Sequence, residues 1–480
     1  MKLNEIFANA PEIEIEQLSS DSRLPMKNAI FFCLNGIKYD GHNFISEAID
    51  NGAKVIIYEK ELNSKAKNAI YVKVKNVNDT LYKIADKFYN HPNDNINTYV
   101  ISGCYGRSSV TSIINNYLNC VSTCGSVGMF GINYSDKHLS IPSPTLTPLE
   151  NLKTLNTFKN NNVKNAVFES SVISLYYKKL DVIKPDVFIY TNTSRYCADY
   201  RACNNNYFEN IRRYLYTLED NTCVLFNYDD ESFNELKETV NNYRTYGSNS
   251  LADYYFYDIV YSNNKTTFKL SHNNQEYLIS TNLLGLQNVY NLVASIAALN
   301  ISGYDISDII EKLSNIKHID GVIEKVDDSL NVIVDCGYEI DSINNMFEYA
   351  RKVTTGKIIC VIGINYSDSD ERIKNIMDLC NKYLDVTILT EDESLQGEVM
   401  SILSKADKYS ILSKVIHVQY RSVAIENAIN LMNSNDTLLI LGKGNEKYLN
   451  MGLGKEKYLG DKHYAIKYIS KRKEFENEII

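Results

Sequence analysis

The residues whose types and spacing most clearly suggest a chemical role form a short glycine-containing loop. The segment Gly103-Cys104-Tyr105-Gly106-Arg107-Ser108-Ser109 follows an apolar run and precedes a helical pattern. A phosphate-binding loop needs glycines so that backbone N–H groups can approach phosphate oxygens, and a helix N-terminus adds positive potential. It also needs a lysine for the β and γ phosphates and a hydroxyl for magnesium. Arg107 stands at the lysine position and Ile101 at the first glycine position, so a plain strand–turn–helix junction stays open as an alternative.

A single acidic residue, Glu169, is the second candidate for chemistry. It closes the apolar run Ala166-Val167-Phe168, which predicts a buried strand. Burying a carboxylate is costly unless the carboxylate is paired or binds a metal. We therefore predict that Glu169 binds a metal ion, with pairing to a cationic side chain as the alternative.

The elements that must position these residues alternate between short apolar runs and helical spacing, which is typical of α/β layers. The runs that predict strands are Ala29–Leu34, Lys54–Tyr58, Thr98–Ile101, Ala166–Phe168, Val187–Tyr190, Cys223–Phe226, Val332–Val334, Ile358–Ile362, Val386–Leu389 and Thr437–Leu441. Helical spacing occurs at Phe44–Ile49 and Asn288–Leu299, and His91–Asn95 is polar and turn-rich. We predict three α/β units in series, over residues 1–92, 93–316 and 317–480, with parallel sheets covered on both faces.

Length and composition exclude several classes of protein. The 480 residues exceed one compact core and suit about three domains. A net charge of -9 argues against nucleic-acid binding, and no apolar run reaches the roughly 18 residues of a membrane span. We therefore expect a cytoplasmic protein whose ten cysteines, which lack zinc spacing, are reduced thiols. Basic and apolar residues alternate over Lys462–Lys473, which predicts a helix with one solvated face.

Further motifs recur in one order along the chain. They are Asp21-Ser22-Arg23, Phe31 to Gly36, Asp40-Gly41-His42, Ala48, Gly52-Ala53, Asn227-Tyr228-Asp229-Asp230, Leu284-Gly285, Asn288-Val289-Tyr290-Asn291 and Gly442-Lys443-Gly444-Asn445-Glu446. In order and spacing, the chain resembles the Mur ligases over essentially its whole length, and most closely the UDP-N-acetylmuramoyl-tripeptide synthetases.

The resemblance implies an α/β fold with the three-domain Mur ligase architecture. Its parts are a uridine-nucleotide N-terminal domain, a central P-loop-type ATPase domain and a Rossmann-like C-terminal domain that binds the incoming amino acid. The implied activity is ATP-dependent joining of an amino acid to a UDP-linked muramoyl peptide in peptidoglycan precursor synthesis, with ATP and Mg²⁺ as cofactors.

The resemblance also implies roles for individual residues. The expected ATP-binding residues are Gly103, Gly106, Arg107, Ser108, Ser109, Asn192, Asn288 and Asp335. The expected substrate contacts are Ser22, Arg23, Thr147, Ser171, Arg195, Lys443 and Glu446. Arg107 and Glu169 are the expected catalytic residues, and Ser108 and Glu169 are the expected metal ligands.

Many of the family's chemical side chains are replaced in this sequence. Arg107 replaces the loop lysine, and arginine is a bulky planar fork rather than a compact ammonium. Ile173 replaces a metal-binding histidine, and Ile211, or Arg212 after a slip of one residue, replaces the lysine that the family carbamoylates. In the third unit the family's Arg, His, Arg and His become, in order, Val322, Tyr338, Leu395 and Asn445.

Three hypotheses follow from this pattern. The first is a ligase-like protein with little or no amide-forming activity that binds a uridine-linked ligand or another protein. The second is an active, divergent ligase that uses a different amino acid or amine. The third is a purely structural interaction protein, suggested by 37 tyrosines and no tryptophan. We favour the first, because the replacements gather at the chemistry while the glycines and the uridine-side residues are kept.

Overall fold

The computed structural model describes residues 1–35, 39–141, 145–194, 206–262, 264–327, 329–394, 397–410, 414–450 and 454–479. The first sheet is parallel, with strand order β1-β2-β3-β4. Its strands are β1 (Gln17–Ser19), β2 (Ala29–Phe32), β3 (Ala53–Tyr58) and β4 (Ile70–Lys73). Helices Ile45–Asp50 and Val77–Phe88 belong to this part of the chain.

The second sheet has eleven strands in the order β15-β14-β13-β12-β11-β10-β5-β9-β6-β7-β8. They are β5 (Asn97–Ser102), β6 (Cys124–Gly128), β7 (Gly131–Tyr134), β8 (Lys137–Leu139), β9 (Asn165–Glu169), β10 (Val187–Tyr190), β11 (Cys223–Asn227), β12 (Tyr243–Gly247), β13 (Tyr254–Tyr261), β14 (Thr266–His272) and β15 (Gln275–Thr281). The seven central strands, β13-β12-β11-β10-β5-β9-β6, are parallel to one another. Antiparallel strands extend both edges, β14 and β15 beside β13, and β7 and β8 beside β6.

Helices cover both faces of this sheet. They are Arg107–Val121, Pro148–Asn160, Val172–Tyr176, Tyr207–Leu215, Glu231–Leu236, Leu286–Ile301 and Ile306–Leu313. The two longest, Arg107–Val121 and Leu286–Ile301, pack against each other. This packing places the start of the first helix, and therefore the glycine loop, next to the start of the second.

The third sheet has the order β16-β17-β21-β18-β19-β20, in which only the β16–β17 pair is antiparallel. Its strands are β16 (Glu324–Lys325), β17 (Asn331–Asp335), β18 (Ile358–Ile364), β19 (Val386–Glu391), β20 (Lys414–His417) and β21 (Thr437–Leu441). Its helices are Ile340–Val353, Asp370–Tyr383, Val399–Leu403, Arg421–Leu431 and Asp461–Ile479, and a separate hairpin pairs β22 (Tyr448–Asn450) with β23 (Lys455–Lys457).

Two apolar cores connect the three sheets. Alternate residues of the central strands point to opposite faces, so Val100 and Phe168 join the core shared with the first sheet. Ile101 and Val167 join the core shared with the third sheet, which includes Ile333. The α/β class is therefore as predicted, whereas the unit boundaries proposed from the sequence remain predictions. Among the described helices, none has the length and apolar character that crossing a bilayer requires.

Candidate functional site

The glycine loop joins β5 to helix Arg107–Val121, and the end of β10 holds its shape. Asn192 accepts the Tyr105 N–H through Oδ1 at 3.0 Å and donates from Nδ2 to the Tyr105 carbonyl at 2.9 Å. The Cys104 N–H donates to the Asn192 carbonyl at 3.1 Å, and the Thr191 hydroxyl donates to the Tyr105 carbonyl at 2.9 Å. Asn192, predicted as a nucleotide contact, therefore uses its amide to fix the loop backbone.

Packing behind the loop explains its two glycines. Gly106 has φ +82° and directly precedes the helix, and a Cβ on it would collide with Asn291 Oδ1. Gly103 has φ +135°, and a Cβ there would collide with the Thr191 hydroxyl. Asn288 is fully buried, donates to the Leu284 carbonyl at 3.0 Å and accepts from Asn291 Nδ2 at 3.2 Å. Asn288 therefore contacts Asn291, the residue that packs on Gly106 of the loop.

The predicted catalytic pair, Arg107 and Glu169, meets beside the loop. Glu169 ends β9, the neighbour of β5, and is 5% exposed. Its Oε1 accepts the Ser108 hydroxyl at 2.8 Å and lies 3.7 Å from Arg107 Nε, while its Oε2 accepts the Met129 N–H at 2.9 Å. The Arg107 guanidinium also donates to the carbonyls of Gly103 and Cys104. Protein groups therefore stabilise the buried carboxylate.

The other positions that supply metal ligands in the family are apolar or turned away. Ile211 is fully buried in the apolar core, and Arg212 pairs with Glu209 and Glu235. Ile173 stands at the histidine position and offers no donor atom. Magnesium is usually held by one or two carboxylates with spare negative charge. Around Glu169 the one carboxylate is already balanced by a guanidinium, so this donor set does not fit a divalent cation.

A different cluster has the composition of a metal site. In the described ranges, His318, Asp320 and Glu324 are the only group of three or more His, Cys, Asp or Glu side chains close enough to hold one ion. The Lys462 ammonium lies between two of them, at 2.7 Å from Asp320 and 2.8 Å from Glu324. The Lys462 ammonium therefore already occupies the position of a cation in this cluster, which lies at the start of the third unit.

Asp335 ends β17 in the third sheet and is buried. Its Oδ1 accepts the Ile323 N–H at 3.2 Å, and burial raises the pKa of its carboxyl to about 6. Burial also raises the pKa of the thiol of the next residue, Cys336, and the charges of Asp335 and Glu446 add to this effect.

The third sheet carries a cavity of about 400 Å³ at the carboxyl ends of its strands. Lys443 and Glu446, both predicted substrate contacts, line it together with Asp392. Lys443 Nζ lies 2.9 Å from Asp392 Oδ1 and 3.2 Å from Glu446 Oε2. Burial raises the pKa of the Glu446 carboxyl group. Burial alone would lower the pKa of the Lys443 ammonium, but the charges of Asp392 and Glu446 outweigh this effect, so the pKa of Lys443 is raised.

Sequence reasoning missed a cationic side chain in this cavity, Arg372. It is buried, its Nε lies 2.9 Å from Asp368 Oδ1, and it donates to the Tyr338 carbonyl. Its NH1 lies 3.8 Å from a Glu339 carboxylate oxygen. Asp368 precedes Arg372 by four residues, a spacing that the sequence does contain. Tyr338 and Glu339 come from a different part of the third unit and meet Arg372 only in the folded protein.

In the first unit, the predicted substrate contacts are bonded to neighbouring side chains. The Ser22 hydroxyl donates to Glu47 Oε2 at 2.5 Å. Arg23 is 79% exposed and forms two hydrogen bonds to Asp21, at 2.9 and 2.7 Å. Ser22 and Arg23 are therefore each hydrogen-bonded to an acidic side chain of the first unit.

In the second unit, two predicted substrate contacts begin helices. Thr147 precedes Pro148 and forms a reciprocal capping box with Glu150. Ser171 caps helix Val172–Tyr176 by accepting the Ser174 N–H at 3.3 Å. Arg195 lies outside the described residues.

Three family models match the chain in order. They are "Mur ligase family, catalytic domain" over residues 14–89, "Mur ligase middle domain" over 101–299 and "Mur ligase, glutamate ligase domain" over 321–444. A UDP-N-acetylmuramoyl-L-alanyl-D-glutamate–2,6-diaminopimelate ligase of Clostridium tetani is 30% identical over 445 residues, which is 90% of this chain and 90% of the relative. The chain belongs to the Mur ligase family.

Other relatives and solved structures of the Mur ligase family are similar to the chain over most of its length. A UDP-N-acetylmuramyl-tripeptide synthetase of Oceanobacillus iheyensis is 29% identical, with 92% of each chain covered. A solved UDP-N-acetylmuramoyl-L-alanyl-D-glutamate–2,6-diaminopimelate ligase superposes with a TM-score of 0.71 at 19% identity, covering 98% of this chain and 99% of the other. A MurF ligase from Thermotoga maritima in complex with ADP has a TM-score of 0.66 at 16% identity, covering 95% and 97%. The predicted Mur ligase architecture is confirmed.

Proposed function

We propose that this Mur ligase family member resembles the ATP-dependent UDP-N-acetylmuramoyl-peptide–amino acid ligases of peptidoglycan precursor synthesis, and that its own amide-bond formation is impaired or lost. The observation that carries the proposal is the closed group of Glu169, Arg107 and Ser108. Its carboxylate is balanced within the protein, and Ile173 and Ile211 stand at the remaining ligand positions. The proposed ligand of the first unit is a UDP-linked muramoyl peptide, because the names of the relatives contain this class of compound. For a ligase-like protein without turnover, a protein partner is the alternative ligand.

The family reaction, by resemblance, requires strong polarisation of phosphate. A substrate carboxylate attacks the γ-phosphate of ATP to give an acyl phosphate, and an incoming amine then displaces phosphate. Both steps place new negative charge on oxygen atoms, which cations and oriented donors must stabilise. Removing a single such group costs about a hundredfold to a thousandfold in rate, and losses within one site do not simply multiply.

The residues of this chain supply only part of that stabilisation. The Arg107 guanidinium contacts the loop carbonyls of Gly103 and Cys104, and the first turn of its helix provides N–H groups without intrahelical acceptors. Asp335 offers a carboxyl group that is partly protonated near pH 6. These groups can bind and orient phosphate, but one guanidinium carries less positive charge than a metal ion and a lysine together, so the polarisation that phosphate transfer needs is not restored.

The family models also support the proposed division into units 1–92, 93–316 and 317–480. The first match ends at 89 and the second begins at 101, and the second ends at 299 and the third begins at 321. Both proposed boundaries fall in these gaps. We therefore propose that the units carry the uridine-nucleotide, nucleotide-phosphate and amino-acid sites respectively.

A coupled assay tests the loss of catalysis. The protein is incubated with MgATP, UDP-muramoyl-dipeptide and a panel of amino acids and amines, and phosphate and ligated product are quantified. The C. tetani relative, assayed in parallel, controls for the quality of the substrates. We expect no product above the enzyme-free blank, whereas stoichiometric phosphate release and product would refute the proposal.

The second candidate function is an active, divergent ligase with altered amino-acid specificity. The observation that favours it is the third-unit cavity of about 400 Å³, in which Lys443, Asp392 and Glu446 form a compact charged group. Thermal unfolding with and without saturating MgATP tests this candidate, because a ligand that binds only the native state raises the melting temperature. The absence of a shift would count against an active ligase.

A further inference from the structure

In the group formed by Arg107, Ser108 and Glu169, a cation of the protein lies beside the carboxylate where a metal ion would otherwise bind. Glu169 has the Arg107 Nε 3.7 Å away and accepts hydrogen bonds from Ser108 and Met129. A divalent cation entering between Ser108 and Glu169 would lie close to the Arg107 charge. Like charges at such separations repel strongly in a partly buried site.

Arg107 is held in place before any ligand binds. Its NH1 donates to the Gly103 carbonyl and to the Cys104 carbonyl, the latter at 2.8 Å, so the loop itself fixes the guanidinium. The side chain is still 22% exposed and stays accessible from solvent. Arginine is always charged in proteins, and its planar fork matches phosphate oxygens. A fixed cation therefore stands beside the helix N-terminus, whose dipole also attracts anions.

We propose that this loop binds the phosphates of a nucleoside diphosphate or triphosphate without a divalent cation. In this inference the Arg107 guanidinium supplies the positive charge that a metal ion and the loop lysine supply in the family. The inference rests on the proposed function, because it requires that the loop has kept a nucleotide. It goes further by stating which charge holds the phosphates and that magnesium is dispensable.

Titration calorimetry on the full-length protein tests the metal independence directly. ADP and ATP are each titrated in excess EDTA and, separately, in excess MgCl₂. We expect binding in EDTA with a dissociation constant within about tenfold of the value in magnesium, a difference below about 1.4 kcal/mol. Binding that appears only with magnesium, tightening by more than about tenfold, or no binding under either condition would overturn the inference.

Two substitutions at the loop separate the role of Arg107 from that of Glu169. Arg107→Ala should weaken ADP binding in EDTA by about tenfold or more, because a charge-assisted phosphate contact is lost. Glu169→Gln keeps the shape of the side chain but removes a negative charge near the phosphates. ADP binding in EDTA should then be unchanged or tighter, whereas a selective loss of binding in magnesium would identify Glu169 as a metal ligand and overturn the inference.

The matched control is Arg244→Ala, which removes an exposed arginine from strand β12 of the same unit. Arg244 contacts the carbonyl of its own neighbour Tyr243, so its loss should leave ADP binding in EDTA unchanged. A parallel loss in both arginine variants would point to a nonspecific charge effect and contradict the inference. Circular dichroism establishes that each variant is folded, and Arg107→Gln, which keeps the side-chain length, replaces Arg107→Ala if the alanine variant unfolds.

The inference and the proposed function fail in distinguishable ways. Product formation in the coupled assay refutes the loss of catalysis, whatever the titrations show. Binding that requires magnesium, with no product formed, refutes the inference alone.

Discussion

At the scale of single residues, the polar side chains of the candidate site are hydrogen-bonded to protein groups. Asn192 bonds to the backbone of Tyr105, Ser22 to Glu47, and Ser108 to Glu169. A ligand can use the donor and acceptor positions that these bonds leave open, such as the lone pairs of the two hydroxyls. A ligand that displaces a partner leaves a buried polar group to be satisfied, which otherwise costs about 1–3 kcal/mol.

The raised pKa of Asp335 predicts how the stability of the protein depends on pH. Its pKa is raised to about 6 by burial, from 3.8, so the native state binds the proton more tightly than the unfolded chain does. Its contribution to stability is fully present below about pH 3.8 and is lost as the pH rises through 6. The difference of about two pH units corresponds to about 3 kcal/mol.

The variant Asp335→Asn, which cannot ionise, isolates this effect. Relative to the unmodified protein, its free energy of unfolding should rise by up to about 3 kcal/mol between pH 4 and pH 7. Urea denaturation at a series of pH values measures this difference. A difference between the two proteins that does not change with pH would show that Asp335 titrates normally.

Gly106 makes a second prediction at this scale. Gly106→Ala combines an unfavourable positive φ with a collision at Asn291, whereas Gly303→Ala has a similar φ of +93° and open space. The strained backbone should cost about 1–2 kcal/mol in both variants, and the collision should add about 1–3 kcal/mol in Gly106→Ala alone. Chemical denaturation of both variants measures the two costs, and equal costs would contradict the observed packing of Asn291 on the loop.

At the scale of elements, the last helix is attached to the third sheet by a fully buried ion pair. Arg421 and Asp461 are both 0% exposed, with contacts of 2.8 and 2.7 Å between their charged groups. Arg421 also donates to the Leu441 carbonyl, and the Tyr458 hydroxyl donates to Asp461. This pair joins the starts of helices Arg421–Leu431 and Asp461–Ile479 to the end of β21.

Breaking this pair should be far more costly than breaking an exposed pair between the same helices. Arg421→Met leaves Asp461 buried and unpaired, which should cost about 3–5 kcal/mol of unfolding free energy, and adding Asp461→Leu should recover most of it. Lys471→Ala breaks the exposed pair with Glu426 and should change the unfolding free energy far less, because solvent screens this pair. Urea denaturation distinguishes these outcomes, and similar costs for the two single variants would contradict the burial of Arg421.

At the scale of the whole molecule, the apolar cores cross between the sheets. One face of the second sheet shares a core with the first sheet, and the other face shares a core with the third. The second unit therefore packs against both neighbours through these shared cores. Its exposure in a partly unfolded protein would uncover extensive apolar surface.

Calorimetry tests this coupling between the sheets. Because the second sheet shares a core with each neighbour, we expect fewer than three separate transitions on heating. The destabilised variant Arg421→Met, changed only in the third unit, should lower the temperature of the transition that includes the second sheet. Three independent transitions, with only one moved by the substitution, would show that the cores do not couple the units.

The sequence by itself determined the α/β class, the central strands and the position of the loop. Short apolar runs such as Val187–Tyr190 and Thr437–Leu441 coincide with observed strands, because a strand buried on both faces is apolar along its length. The helix predicted in the basic tail is present as Asp461–Ile479, although Ala465 and Ile469 pack into the third core. The ordered motifs identified the family because their order and spacing extend over essentially the whole chain.

Only the tertiary structure decided which charges meet. The predicted metal ligand Glu169 is paired with Arg107 because parallel strands β5 and β9 bring their carboxyl ends to one edge of the sheet. Arg372 enters the third-unit cavity, where Tyr338 and Glu339 from a distant part of the sequence contact it. Local patterns fix the conformation of a few adjacent residues, whereas the balance of charge in a site depends on strand order and packing across many residues.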